Sequence, residues 1–399
     1  MKRSEVFVLC LMVASVWAAD TYAQEALKSP YAQWSRGPGA GADFFPIAVW
    51  LQSPANAGRY REAGFNLYVG LWRGPTDEQL SQLQAAGMHV ICSQNRVALS
   101  RLDDPTIVGW MHGDEPDNAQ SLGEGKGYGP PIPPEKIVAD YEKIRAADPT
   151  RPILLNLGQG VAWDGWHGRG VRTNHPEDYP EYVKGCDIAS FDIYPVAHDR
   201  PAVAGKLWYV AYGVERLKGW AQGRPVWNCI ECTRISSKNK ATPQQVRCEV
   251  WMSIVHGSMG LIYFVHEWVP KFDEAALLHD PEMYEAVTRI NQRIAKLAPV
   301  LNSPTISGGA EVRPAQAEIP IATMVKKHEG AVYLFAVAMR EGRTNAKISI
   351  GELQGRQTVE VLDEDRTLEA IDGAFEDEFE PWDVHLYRVL GSPKSAKAG

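Results

Sequence analysis

Two glutamates carry the chemistry for which this chain can be read. Glu115 ends the stretch Ile107-Val-Gly-Trp-Met-His-Gly-Asp-Glu-Pro-Asp117, and Glu231 lies in Val226-Trp-Asn-Cys-Ile-Glu-Cys-Thr233. Each follows a short apolar run of strand-like composition. Two carboxyls brought together can divide acid–base work. One keeps a proton for a leaving oxygen, while the other attacks or activates water. Proximity raises one of the two pKa values and keeps that group protonated near neutral pH. The chemistry requires the two side chains to converge, so the elements that carry them decide the matter.

Those elements repeat. Apolar runs at Phe44–Leu51, Phe65–Leu71, His89–Gln94, Ile107–Asp114, Ile153–Leu157, Asp187–Tyr194, Pro225–Cys232 and Met259–His266 read as strands. Helical patterns lie between most of them, with Thr76 and Gly87 as start and stop signals for one, and a long helix at Pro281–Leu301 closes the series. The third helix, Arg96–Arg101, is short. Eight alternating units imply a parallel sheet closed into a (β/α)8 TIM barrel, over a span close to the roughly 250 residues typical of that fold. A doubly wound open sheet is the alternative. It needs a Gly-rich first turn, and Gln52-Ser-Pro-Ala55 does not supply one.

The expected organisation is a leader at 1–23, an N-terminal lead at 24–43, the barrel at 44–303, a small antiparallel β-sandwich at 304–391 and a disordered tail at 392–399. The acidic run Glu376–Pro381 reads as a solvated turn. On the fourth strand, an inward Glu115 takes Met111, Gly109 and Ile107 inward and leaves Trp110 and Val108 facing the helices. On the seventh, Trp227 and Cys229 point inward. The size of Trp227 implies a bulge near Cys229.

Barrel active sites lie at the C-terminal ends of the strands. Those positions hold Trp50, Gln52, Trp72, Asp114, Asn156, Asp192, Tyr194, Glu267 and Trp268 beside the two glutamates. The chain has 13 tryptophans, and Trp163 and Trp166 fall in a Gly-rich loop of a length that tends to be functional. Flat apolar faces with one polar edge suit sugar rings. Asp192 reads as a supporting or structural residue.

Glu after strand four and Glu after strand seven of an eight-stranded barrel resembles the large clan of retaining (β/α)8 glycoside hydrolases, over about Phe44 to Leu301. The resemblance implies Glu115 as acid/base and Glu231 as nucleophile. It also implies that Tyr194 lies near the nucleophile and that Trp268 forms an aromatic floor, with a neutral β-linked glycan as substrate. Asp114 departs from the clan, which has Asn there; an ionised Asp can only accept hydrogen bonds. A carbohydrate-binding barrel that does not cleave is the alternative.

Other chemistries lack their residues. A net charge of −8 leaves no electrostatic footprint for nucleic acid. No His-x-His marks the first strand as a metal site, Cys229-Ile-Glu-Cys232 lacks a second ligand pair, and no strand carries a lysine for a Schiff base. No cofactor or metal is expected. Lys2 and Arg3 precede an apolar run from Val6 to Ala19 that is too short to span a bilayer, with Thr21-Tyr-Ala23 as a cleavage signal. A secreted or periplasmic protein without a membrane span is expected. Of six cysteines, Cys10 falls in the leader, so the remaining five exclude complete pairing.

Overall fold

Eight short parallel strands close on one another: β1 (Ile47–Trp50), β2 (Leu67–Val69), β3 (His89–Cys92), β4 (Ile107–Met111), β5 (Ile153–Leu157), β6 (Ile188–Phe191), β7 (Val226–Glu231) and β8 (Leu261–Phe264). They pair in chain order, and β8 returns to β1. This computed structural model describes residues 29–351 and 353–390. The expected leader and tail lie outside them. Around the strands run α1 (Ala57–Glu62), α2 (Asp77–Ala85), α3 (Arg96–Leu99), α4 (Pro134–Ala147), α5 (Tyr179–Tyr182), α6 (Trp208–Ala221), α7 (Pro243–His256) and α8 (Pro281–Leu301). The capping boxes at Thr76/Gln79 and Thr242/Gln245 fix where α2 and α7 begin.

The strand alternation differs from the expectation at β4. Val108 faces the lumen with Ala48, Leu67, Ile91, Leu154 and Ile262, and Met111 packs against that group. Ile107 and Trp110 belong to the outer layer under the helices. The cause is a register shift between β3 and β4, where Val90 pairs with Ile107 but Ile91 pairs with Gly109. Trp110 is anchored outside by its indole N–H, which donates to Asp148 at 3.1 Å.

On β7 the expected bulge is absent. Pairing with β8 runs without a shift from Asn228 to Glu231, and Trp227 and Cys229 both face the lumen. Trp227 fits because Gly260 lies beside it: a Cβ there would come within 2.6 Å of the indole. Tyr31, from the turn Pro30–Gln33, plugs the barrel floor. Its hydroxyl accepts the Trp227 indole N–H at 2.7 Å and donates to the Met259 carbonyl at 2.9 Å.

The C-terminal part is an antiparallel sheet of eight strands rather than the five legible in the sequence. In chain order they are β9 (Ala310–Pro314), β10 (Ile321–His328), β11 (Ala331–Ala338), β12 (Thr344–Ile350), β13 (Arg356–Val361), β14 (Arg366–Ile371), β15 (Ala374–Phe379) and β16 (Val384–Leu390). Their spatial order is β10-β11-β16-β13-β14-β15-β12-β9, with inner-face side chains forming one core. The supposed acidic turn is most of β15. Phe375 and Phe379 are buried, and Asp377 on their face takes both Arg366 amino groups at 2.9 and 2.8 Å and the Tyr387 hydroxyl at 2.8 Å. The sheet docks on the barrel through Trp251 of α7, stacked on Phe335 at 5.3 Å.

Candidate active site

The C-terminal ends of the barrel strands open into a cleft of about 600 Å³. Glu115, Asp114, Asn156, Asp192 and Tyr194 line its base. The backbone sets Glu115 there: β4 ends at Met111, and Glu115 adopts a positive φ of 41° while its N–H donates to the Asn156 carbonyl at 3.0 Å. That turn aims the carboxyl back over the lumen. Gly158 lies beneath it, where a Cβ would come within 2.9 Å of Glu115 Oε1. Asp117, fully buried, ties the same loop to the next by accepting the Gly158 N–H and the Tyr179 hydroxyl, each at 2.9 Å.

Glu115 and Asp192 lie close enough to share a proton. Burial and the neighbouring Asp192 and Asp114 carboxylates push Glu115 well above the usual carboxylate range. Burial also raises Asp192, to about 7, opposed by its hydrogen bond with Glu115 and by the Tyr194 hydroxyl. Both carboxyls are thus held towards their protonated forms. Asp114 opens to the cleft, yet its protein surroundings raise it to about 6, opposed by the Asn156 amide, which donates to its Oδ1 at 3.0 Å.

Aromatic side chains form the walls. Trp268 stacks on Phe264 at 5.6 Å and meets Phe272 at 5.8 Å. Trp50 and Trp72 complete the enclosure with Leu51, Cys229, Ile235, His266 and Glu274. Trp72, Trp268 and Phe272 are exposed, although rings of this size are normally covered.

Of the residues expected from the sequence, Trp50, Trp72, Asp114, Glu115, Asn156, Tyr194 and Trp268 line this cleft. Glu231 is not among them. Its carboxylate is fully buried, with Oε1 accepting the Val196 N–H at 2.6 Å and Oε2 the Ala197 N–H at 2.7 Å. It also lies against Glu249 of α7. Two backbone donors just past β6 thus satisfy both carboxyl oxygens. Burial raises Glu231 to about 7, opposed by those amides, and raises Glu249 well above its ordinary value.

Gln52 is likewise buried below the cleft. It accepts the Tyr60 hydroxyl at 2.6 Å and donates to the Glu274 carbonyl at 2.5 Å. Glu267 pairs with Arg234 at 3.5 Å rather than facing the cavity. Trp163 and Trp166 gather around His198, at 5.5 and 6.2 Å, in a separate aromatic cluster. The Trp166 indole N–H donates to Asn118 at 2.9 Å, beside Glu115 in the chain's fold. The glycine-rich segment 121–133 does not line the cleft. Asp192, read from the sequence as a supporting or structural residue, also lines the cleft. Its signal was its place at the end of the sixth strand, two residues before Tyr194. No group of three or more His, Cys, Asp or Glu side chains positioned to hold a metal occurs among the described residues.

No family model matches the chain, and no curated protein matches it. Solved structures do. AmyP in complex with maltose, and an AmyP variant in complex with maltotriose, each superpose with a TM-score of 0.53 at 9% identity, covering 92% of this chain and 99% of theirs. A GH30 endoxylanase from Clostridium papyrosolvens gives 0.47 at 11% identity, covering 90% and 97%. At such identity the likeness to AmyP is one of fold: the chain is a closed (β/α)8 barrel followed by an antiparallel sheet domain.

Proposed function

We propose that the protein is a glycoside hydrolase acting through Glu115 and Asp192. The carrying observation is that pair: two carboxyls in contact with one another at the base of an aromatic-walled cleft. Glu115 protonates the glycosidic oxygen as the bond to the anomeric carbon breaks. Asp192 attacks that carbon to form a glycosyl ester. Glu115 then takes a proton from water, whose oxygen displaces Asp192. Contact between the carboxyls argues against inversion, which needs them about 6.5–9.5 Å apart to admit water, whereas double displacement needs about 5–5.5 Å.

Tyr194 favours the ionised form of Asp192, and Asn156 orients Asp114 towards sugar hydroxyls. Trp50, Trp72, Trp268 and Phe272 hold sugar rings; Trp163 and Trp166 extend the binding surface beyond Glu115. The substrate is a neutral glycan. The resemblance noted in the sequence favours a β-linkage, and the maltose and maltotriose bound by AmyP make α-linked glucans the necessary comparison. The leader implies export, which N-terminal sequencing of the secreted protein, expected to begin at Gln24, would check.

The deciding experiment combines a panel of α- and β-linked chromogenic glycosides with covalent trapping by the matching activated 2-fluoroglycoside. Peptide mass spectrometry is expected to find the label on Asp192. A label on Glu231 would overturn the assignment of the nucleophile. Binding across the panel without turnover would replace the hydrolase by a carbohydrate-binding protein.

A further inference from the structure

A second cavity, a groove of about 1110 Å³, lies between the last two barrel helices and the C-terminal sheet. Arg247 of α7 and Arg289, Arg293 and Lys296 of α8 line the barrel side. Asp363, Glu364, Asp383 and His385 line the sheet side.

The two sides do not neutralise each other. His385 occupies Glu364 at 2.6 Å and Asp383 at 3.3 Å, and Arg366 takes Glu364 at 2.7 Å. Asp383 also accepts the Val384 N–H at 2.9 Å and the Glu380 N–H at 3.2 Å. Nearby Glu360 is held by Arg388 at 2.5 Å. Among the described residues, Asp363 is the acid of this face that reaches across, pairing with Arg293.

The cations keep most of their donors. Arg247 donates to the Val384 carbonyl at 2.8 Å, leaving the rest of a five-donor guanidinium without a protein acceptor. Lys296 makes no hydrogen bond or ion pair among the described residues. Burial pushes the Arg247 guanidinium below its ordinary pKa. Burial does the same to Arg293, and the adjacent Arg247 adds to it. Arg289 is paired with Glu285 on its own helix and Arg293 with Asp363, so the donors left over are those of Arg247, the remaining ones of Arg293 and the Lys296 ammonium, facing acids that are already occupied. Desolvated charge of one sign is unfavourable until a counter-charge arrives.

We propose that this groove is a binding site for a phosphate group, with Arg247 and Arg293 supplying paired N–H donors and Lys296 a point charge. Guanidinium geometry matches phosphate oxygens in pairs. The ligand is either inorganic phosphate or a phosphate monoester of a small molecule. Held by α7 and α8 at the edge of the sheet, it links the barrel to the C-terminal domain. This site is independent of the cleft.

The test is isothermal titration of the full chain with inorganic phosphate and with glucose 1-phosphate, against chloride at matched ionic strength. Saturable binding is expected with the phosphates and not with chloride. Arg293→Gln and Lys296→Gln, both on the outer face of α8, are each expected to weaken it about tenfold, the size of one charge-assisted hydrogen bond. Circular dichroism without phosphate confirms that the variants are folded. Tighter binding of glucose 1-phosphate assigns the site to a phosphate monoester; equal or weaker binding assigns it to the free ion. Heat released equally by chloride, no saturable binding, or unchanged affinity in both variants would refute the proposal.

Discussion

Glu249→Gln should make the protein more stable above neutral pH and hardly change it in acid. In the wild type, Glu231 and Glu249 lie together, both fully buried, and Glu231 is raised from 4.5 to about 7. A carboxyl with a raised folded pKa holds its proton in the native state after the unfolded chain has released it. Stability then falls as pH rises from the unfolded value through the folded one. For Glu231 that window is pH 4.5 to about 7, and at about 1.4 kcal/mol per unit it costs about 3 kcal/mol. Burial and the neighbouring Glu231 raise Glu249 at least as strongly, so the native state must also keep the Glu249 proton; glutamine at 249 offers Glu231 an N–H in place of that O–H and removes this second cost of the same size. The gain at pH 8 is up to about 3 kcal/mol, or about 5–10 °C in Tm for a domain of this size. Differential scanning fluorimetry from pH 4.5 to 8.5 measures it. The reasoning is refuted if Tm falls with pH equally in both proteins, or if the variant is the less stable at pH 8.

Four further outcomes follow from the geometry. Activity should rise as pH passes about 7, where Asp192 ionises, and fall at higher pH as Glu115 loses its proton, which a kcat/KM profile records. Trp268→Ala, at an exposed ring, should raise KM about tenfold with Tm nearly unchanged, measured by steady-state kinetics and melting. Gly158→Ala places a methyl 2.9 Å from Glu115 Oε1 and 2.8 Å from Asn118; a loss in kcat of about 100-fold in a folded variant is expected from the displaced acid. Gly260→Ala puts a methyl 2.6 Å from Trp227 and should lower stability by about 1–3 kcal/mol in urea titration, leaving KM unchanged.

The barrel was legible because its signals are local. Alternating apolar runs and helix caps mark each unit, and Pro281–Leu301 appears at the same bounds in sequence and structure. What escaped were features set by partners distant in the chain. The register shift at Gly109 depends on Ile91, so strict alternation on β4 assigned Val108 and Ile107 to the wrong sides. Strand β15 was hidden because its acidic residues read as solvated, although Arg366 and Tyr387 neutralise Asp377 from neighbouring strands. The surroundings of Glu231 illustrate the same difficulty. Strand parity points it inward, but the N–H groups of Val196 and Ala197 become donors only once β6 ends where it does. The contact of Asp192 with Glu115 was equally hidden, because the fold rather than its neighbours in sequence brings the two side chains together.

The Tyr31 plug has a consequence for synthesis. Its partners, Trp227 and Met259, lie 196 and 228 residues further along the chain. A ribosome adding about 5–20 residues per second makes the first of them about 10–40 s later. Through that interval Tyr31 has no indole to bind, and the lumen-facing side chains of β1 to β4 have no opposite wall. A nascent chain therefore carries an unsealed apolar trough until nearly two-thirds of it has emerged. A denatured full-length chain, with every partner already attached, can close the floor in its first productive collapse.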